Sequence, residues 1–296
     1  MPNSRLVPTL KAIFAVVVWG GTFIATKIAL EDVSPATIVW IRFGIGVLIL
    51  GGAVLARKQF ALPERGDIAY LALLGFLAVT FHQWLQATGL ITAQATTTAW
   101  IVATSPVFIA VLGWLVLKEK LGWARVGGIA LAACGVLLIV SKGNLSALFA
   151  GNEGTVGDFL ILISAVNWAV VTVLSRRELA RHPATRMTFY MMLFGWIFSC
   201  IWIFGFGPAL TEIPHLSARG WTSILVLGIF GSGLAYIAWY DALQALPASQ
   251  LGAFLYIEPL VTVLLATFML SEPITFVSLI GGAIILLGVW LVNRGD

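Results

Sequence analysis

Charge is scarce in this chain. Charged residues make up 10% of its 296 positions, against about 25% in soluble domains. That scarcity excludes an ordinary water-soluble enzyme. Histidine and cysteine are scarce too, with His82, His182 and His215 in different segments and only Cys134 and Cys200 as thiols. No Walker A sequence, H-E-x-x-H or zinc-spaced His/Cys set occurs, so no metal, no cofactor and no ATP-driven step is expected. Gly231-Ser232-Gly233 falls short of a G-x-S-x-G elbow and lies in an apolar run, where close helix packing is its simpler role. Without a recognisable nucleophile–base set, the chain does not read as an enzyme. Both cysteines lie in apolar runs, which suits core thiols rather than a disulfide.

Apolar residues are what the chain has, at 60% of positions and a mean hydropathy of +1.00. They fall in runs of about twenty, the length that crosses about 30 Å of hydrocarbon at 1.5 Å per residue. The sequence therefore predicts an all-α integral membrane protein. Ten spans are expected, at roughly 11–30, 36–56, 67–90, 94–117, 122–141, 157–175, 186–206, 220–241, 249–270 and 275–292. The longest loops, near 142–156 and 207–219, leave no room for a soluble domain. The N-terminus enters its first apolar run without a small-residue cleavage site, and reads as an uncleaved span. The net charge of +4 reflects loop bias rather than a nucleic-acid partner, since no basic patch interleaves with aromatics.

Orientation follows from Lys and Arg. With the N-terminus inside, 13 of them face the cytoplasm and four, Lys27, Arg42, Lys142 and Arg219, do not. Both termini are then cytoplasmic. An internal repeat supplies the architecture. Pro106, Glu119, Gly128 and Gly135 recur as Pro259, Glu272, Gly281 and Gly288, each displaced by 153 residues. Trp19 and Trp168 start the register of the two copies, with Lys27 and Arg176 each eight residues later. Each copy holds five spans, and an odd count turns the second copy upside down. The charges agree: Lys118 and Lys120 follow the fourth span where Ser271-Glu272-Pro273 follows the ninth. Two units, 1–145 and 155–296, are expected, packed as inverted five-helix repeats around a central cavity.

These residues carry a family resemblance. Trp19-Gly20-Gly21-Thr22-Phe23 in the first span, Pro35-Ala36 and Arg42 at the second, Thr80-Phe81-His82 in the third and the doubled Pro…Glu…Gly…Gly pattern resemble the EamA family of the drug/metabolite transporter superfamily. Within it the chain is similar to the YddG-type amino-acid exporters of bacterial inner membranes. The second copy reads Trp168-Ala169-Val170, so the first-span motif is not repeated. The resemblance implies a secondary transporter working by alternating access and exporting amino acids, aromatic or other neutral ones first. Other small metabolites or cationic drugs are the alternative substrates, and a lipid-handling or structural membrane protein is the alternative class. The partners expected are a small-molecule substrate and the bilayer, with the chain a monomer.

The candidate site comes from polar groups within spans, because a charge at the bilayer centre costs about 2.5–3.5 kcal/mol and faces protein or a wet cavity. His82 and Gln86 share a helix face in the third span, and Trp100 falls at comparable depth in the fourth. Together they would bind a substrate carboxylate or relay a proton, and cover its apolar side chain; the plainer reading is a histidine bonded to a neighbouring carbonyl, with Trp100 as lipid-facing packing. Glu258, near mid-depth in the ninth span, is either a neutral acid satisfied by backbone freed at Pro259 or an amine-binding or proton-coupled carboxylate. Trp168 and Tyr256 complete the alternative set. Pro106 and Pro259 mark hinges in the fourth and ninth spans, where kinks should border the cavity. Arg42 reads first as a helix-end anchor and second as a partner for an acid or substrate. Glu119 and Glu272 should cap the following helix or pin a tight loop, Asp241 should be a solvated cap, and the paired glycines should be packing surfaces.

Overall fold

The computed structural model describes residues 6–117, 122–146, 154–206, 209–246 and 254–294, and within them the secondary structure is helical. Lys118, Glu119 and Lys120 lie outside these residues. The long helices are α1 (Leu6–Ala29), α2 (Pro35–Ala56), α3 (Arg65–Thr92), α4 (Ala95–Val102), α5 (Ser105–Leu117), α6 (Trp123–Val140), α7 (Val156–Leu179), α8 (Ala184–Phe206), α9 (Ala218–Ala245), α10 (Ile257–Leu270) and α11 (Phe276–Arg294). Eight stretches are long and apolar enough to cross a membrane, one of them running from α4 into α5, and α10 and α11 are shorter apolar helices. This is a multi-span membrane protein.

Lipid tails are as apolar as leucine, so close backbone approach rather than the hydrophobic effect holds such helices together. The α6–α11 pair shows how the sequence achieves it. A Cβ on Gly128 would lie 2.6 Å from the Gly288 carbonyl oxygen, and one on Gly135 would lie 2.8 Å from that of Gly281. Their spacing predicts a packing surface on each helix, and the structure makes each surface the other's partner. The remaining helices interlock: α1 packs on α9 and α10, α7 on α3 and α5, α2 on α8 and α9, and α8 on α3.

Regular winding is interrupted at four places. The chain breaks at Ala103–Thr104, between α4 and α5. Pro106 lacks the N–H that would bond the Val102 carbonyl, and the Ser105 hydroxyl donates to that oxygen instead (2.7 Å). The first proline thus sits at an interruption of the helix. Pro259 occupies the first turn of α10 just after a turn at Leu255–Tyr256. In α3 the segment Phe76–Phe81 is π-helical, and in α9 so is Leu227–Leu234. Side chains from neighbouring helices bond carbonyls within these wider turns: Asn167 Nδ2 donates to Leu77 O (2.9 Å) and Trp19 Nε1 donates to Gly231 O (3.2 Å).

Acids at the helix ends cap helices distant in sequence. Glu272 accepts from Ala95 N (2.8 Å), Thr96 N (3.0 Å) and Thr96 Oγ1 (2.8 Å). It therefore caps α4 rather than the helix that follows it. Glu212 does the same for Ser34 and Thr37 at the start of α2, and Asp32 for Ser217 before α9. Asp241 is not a solvated cap either. It is held by Lys11 (2.6 Å) and by both Nη atoms of Arg57 (2.5 and 2.8 Å), and this carboxylate raises Arg57 above its ordinary guanidinium range. Cys134 is exposed on the outside of the bundle rather than in its core.

Candidate functional site

The α4–α5 break and residues that follow the two π-helical turns border a cavity of about 70 Å³. Helix α1 supplies Trp19, Thr22 and Phe23, α2 supplies Arg42, and α3 supplies His82, Gln83 and Gln86. The α4–α5 break adds Ser105 and Pro106, and α7, α9 and α10 add Trp168, Tyr236 and Glu258. Sequence position put His82 and Gln86 one turn apart, and both reach the cavity. The π-helical turn of α3 ends at Phe81, so the irregular winding immediately precedes His82.

The aromatic walls come from the two tryptophans that open each copy of the repeat. Trp168 lies 5.2 Å from the His82 ring, and Trp19 lies 5.5 Å from Tyr236 and 5.1 Å from Trp239, by ring centroids. The two indoles meet edge-on at 6.4 Å. His82 Nδ1 lies 3.1 Å from the Ser164 carbonyl. With Nδ1–H donating there, Nε2 is the ring nitrogen left to accept. The plainer reading of His82 is thus met, and the ring lines the cavity as well.

A guanidinium and a carboxyl group face this space. Arg42 is buried, 5% exposed, and donates through Nε to Ser232 Oγ (3.0 Å) and through Nη1 to Gln83 Oε1 (3.2 Å). Its guanidinium carbon sits 5.0 Å from the Phe43 ring centroid. These partners are neutral, so Arg42 is no helix-end anchor. Glu258 is 8% exposed, and its backbone carbonyl accepts from Thr262 Oγ1 (3.0 Å), which also donates to Gly20 O (2.8 Å). That shared hydroxyl pins α10 against α1. Among the described residues no cation lies within ion-pair distance of the Glu258 carboxylate. The backbone freed at Pro259 is used by Glu258 itself, whose N–H donates to Leu255 O (3.2 Å).

Trp100 and Tyr256 are not brought to this cavity. Trp100 is 3% exposed, so it does not face lipid, and it is turned the other way, with Nε1 donating to Ser278 Oγ (3.1 Å). Its ring lies where a Cβ on Gly282 would meet it at 2.5 Å. Tyr256 packs against the same α6–α11 cluster. Depth alone had grouped Trp100 with His82, whereas rotation about the helix axis separates them. Conversely Thr22, Gln83 and Tyr236 line the cavity and Ser232 holds Arg42, none of them a site residue on sequence grounds. The Gly231-Ser232-Gly233 run was the sequence signal for one of them, and it marks the π-helical turn of α9.

This arrangement of a buried polar cavity within a multi-span bundle agrees with what related proteins are. The EamA-like transporter family matches residues 8–141 and again residues 155–294. The chain belongs to that family. It is 31% identical over 278 residues to an uncharacterized transporter of Archaeoglobus fulgidus, covering 93% of each chain. It is 28% identical to the uncharacterized inner membrane transporter YedA of Escherichia coli, covering 100% of this chain and 94% of that one. A probable terminal-alkyne amino-acid exporter of Streptantibioticus cattleyicolor is 26% identical, with 95% of this chain and 92% of the other covered. One crystal structure superposes with a TM-score of 0.71 over 99% of this chain and 100% of that one at 21% identity, a likeness of fold. The protein is a membrane transporter, not an enzyme.

Proposed function

We propose that this protein is a secondary exporter of neutral amino acids, which it binds as zwitterions between Arg42 and Glu258. The observation that carries the reading is that a guanidinium and a carboxylate line one buried cavity without pairing with each other or with another charge among the described residues. A zwitterion supplies both missing partners at once: its carboxylate takes the free donors of Arg42, and its ammonium faces Glu258. Trp19, Phe23 and Trp168 offer apolar walls for a side chain. The cavity is small, about 70 Å³, which suits a small neutral amino acid.

In this reading the helices form ten spans in two inverted five-helix halves, 1–145 and 155–296, with both termini cytoplasmic in a bacterial inner membrane. The reciprocal packing of α1 on α9 and α10 with that of α7 on α3 and α5 supports it. So does the pair of π-helical turns at corresponding places in α3 and α9. Rocking of the halves about the interrupted helices then alternates access.

The test is counterflow of labelled neutral amino acids into proteoliposomes. Arg42→Gln and Glu258→Gln should each lower flux by about 10–100-fold, the loss of one hydrogen-bonded charge contact of ~1.5–3 kcal/mol. A simple amine or carboxylic acid that competes as well as the amino acid overturns the reading. The second reading, a cationic amine as substrate, draws on Glu258 alone and is distinguished by flux that survives Arg42→Gln.

A further inference from the structure

A second cavity, of about 190 Å³, opens where the α2–α3 loop meets the starts of α3 and α8. Its walls include Leu62, Leu71, His182, Arg186, Met187 and Tyr190. Tyr190 Oη donates to Ala61 O (2.9 Å) and so fixes the loop against α8 as one wall. The pocket lies at the ends of the spanning helices, and beside it Leu55, Phe60 and Leu62 expose 64%, 55% and 78% of their surface. Apolar side chains so exposed at a helix end belong at the boundary between hydrocarbon and headgroups.

Arg186 is the unusual member. Its Nη2 lies 2.6 Å from His182 Nδ1, its one polar contact among the described residues. Because guanidinium only donates, Nδ1 is the acceptor and the imidazole carries its proton on Nε2. That proton faces Asp67 Oδ2 (3.0 Å), with Glu178 Oε2 3.4 Å from the same nitrogen. Asp67 Oδ1 is taken by Arg181 (2.7 Å). These three donors, Asp67, Glu178 and His182, could converge on a metal ion, but an imidazole nitrogen that bears a proton has no lone pair to give. The set is a hydrogen-bonded network, and it engages Asp67 without neutralising Arg186. Arg186 therefore presents a fork of N–H groups whose only acceptor among the described residues is a neutral ring nitrogen. Glu64 stands exposed at the rim of the pocket.

We propose that the pocket beside Arg186 binds the phosphate of an anionic ligand, with a phospholipid headgroup as its source. The planar guanidinium matches two phosphate oxygens at once. Leu71, Met187 and Tyr190 offer apolar surface to the glycerol end of a lipid, and exposed Leu62 leads toward the hydrocarbon. Anionic headgroups are held at this height in a bilayer, and free phosphate has the same chemistry without the tail. The inference does not depend on what the central cavity carries.

Thermal unfolding of the purified full chain in a neutral detergent tests it, with phosphatidylglycerol, phosphatidylcholine or inorganic phosphate added at equal phosphate. Phosphatidylglycerol should raise Tm by roughly 2–4 °C through preferential binding to the folded state, and Arg186→Gln should abolish the rise. Arg65→Gln, which removes an exposed charge at the start of α3, should keep it. An equal rise with inorganic phosphate supports the phosphate site and assigns it to the free anion instead of the lipid. An equal rise with phosphatidylcholine, no rise at all, or a rise lost in Arg65→Gln but kept in Arg186→Gln overturns the proposal. Should Arg186→Gln not fold, Arg186→Lys decides: a point ammonium lacks the fork, and the rise should fall by about half or more.

Discussion

Glu272 Oε2 accepts from both the backbone N–H and the hydroxyl of Thr96, at 3.0 and 2.8 Å, across 176 residues of chain. Ser271, in the left-handed conformation with φ 56°, turns the chain after α10 so that the next side chain points back toward α4. Lys27 Nζ stands 3.7 Å from the same carboxylate and donates to Ala93 O at 2.7 Å. One acid thus ties the ends of α1, α4 and α10 together. Glu272→Ala should cost about 1–2 kcal/mol, as loss of a helix cap does, while Glu272→Gln, which keeps an acceptor, should cost less than half of that. Chemical denaturation in mixed micelles reads the difference; equal stability of the two variants would remove the cap from the account.

The α6–α11 contact makes a sharper stability prediction because neighbouring glycines differ. Gly128 has the Gly288 carbonyl and the Val292 backbone within 3 Å of where a Cβ would stand, whereas Gly127 has nothing within 4 Å. Gly128→Val should lower stability by about 1–3 kcal/mol through overpacking. Gly127→Ala should leave it unchanged or slightly raised, since alanine is the better helix former. If the two variants unfold together, the backbone approach is not what holds these helices.

These two contacts were unequally legible. Hydropathy located the apolar stretches, and the doubled glycines marked a packing face on each of two helices, because spacing of seven places residues on one helix face, without showing that the two faces meet. Glu272 announced a structural role, but its partner lies on a helix that sequence order does not identify. The site divided along the same line. Residue count gives depth along a helix, and His82, Gln86 and Glu258, picked by depth, do line the cavity. It does not give rotation, and successive residues turn by about 100°. Trp100 shares the depth of His82 and faces Ser278 and Gly282 instead. Arg42 looked like an anchor because it lies close to a helix start; it is drawn inward by Ser232, which stands in a π-helical turn no simple periodicity forecasts.

Orientation in the membrane is open to a direct measurement. The proposed topology puts the loop around Ala61, the start of α6 at Gly122 and the turn at His182 all on the cytoplasmic side. Single cysteines at these three positions, in a background lacking Cys134 and Cys200, should resist an impermeant thiol reagent in intact cells and react after permeabilisation. Reaction from outside at any one reverses the orientation of that loop.

The break between α4 and α5 gives the prediction that bears most on movement. Pro106 removes one donor from the Val102 carbonyl, but two hydroxyls complete the interruption: Ser105 Oγ donates to Val102 O at 2.7 Å and Thr104 Oγ1 to Ile101 O at 2.6 Å. Restoring the missing N–H by Pro106→Ala offers Val102 a second donor while the first stays in place. A net hydrogen bond of about 1 kcal/mol sets the scale, so the single variant should change counterflow by no more than about fivefold. In Thr104→Ala/Ser105→Ala/Pro106→Ala the hydroxyl donors are gone, and a continuous α-helix becomes the best use of the backbone. That triple variant should fold, keep its thermal stability and lose most of its counterflow, because the wall beside Glu258 no longer bends. Wild-type flux in the triple variant would separate the break from transport, and loss of flux in Pro106→Ala alone would give the proline a role beyond its missing donor.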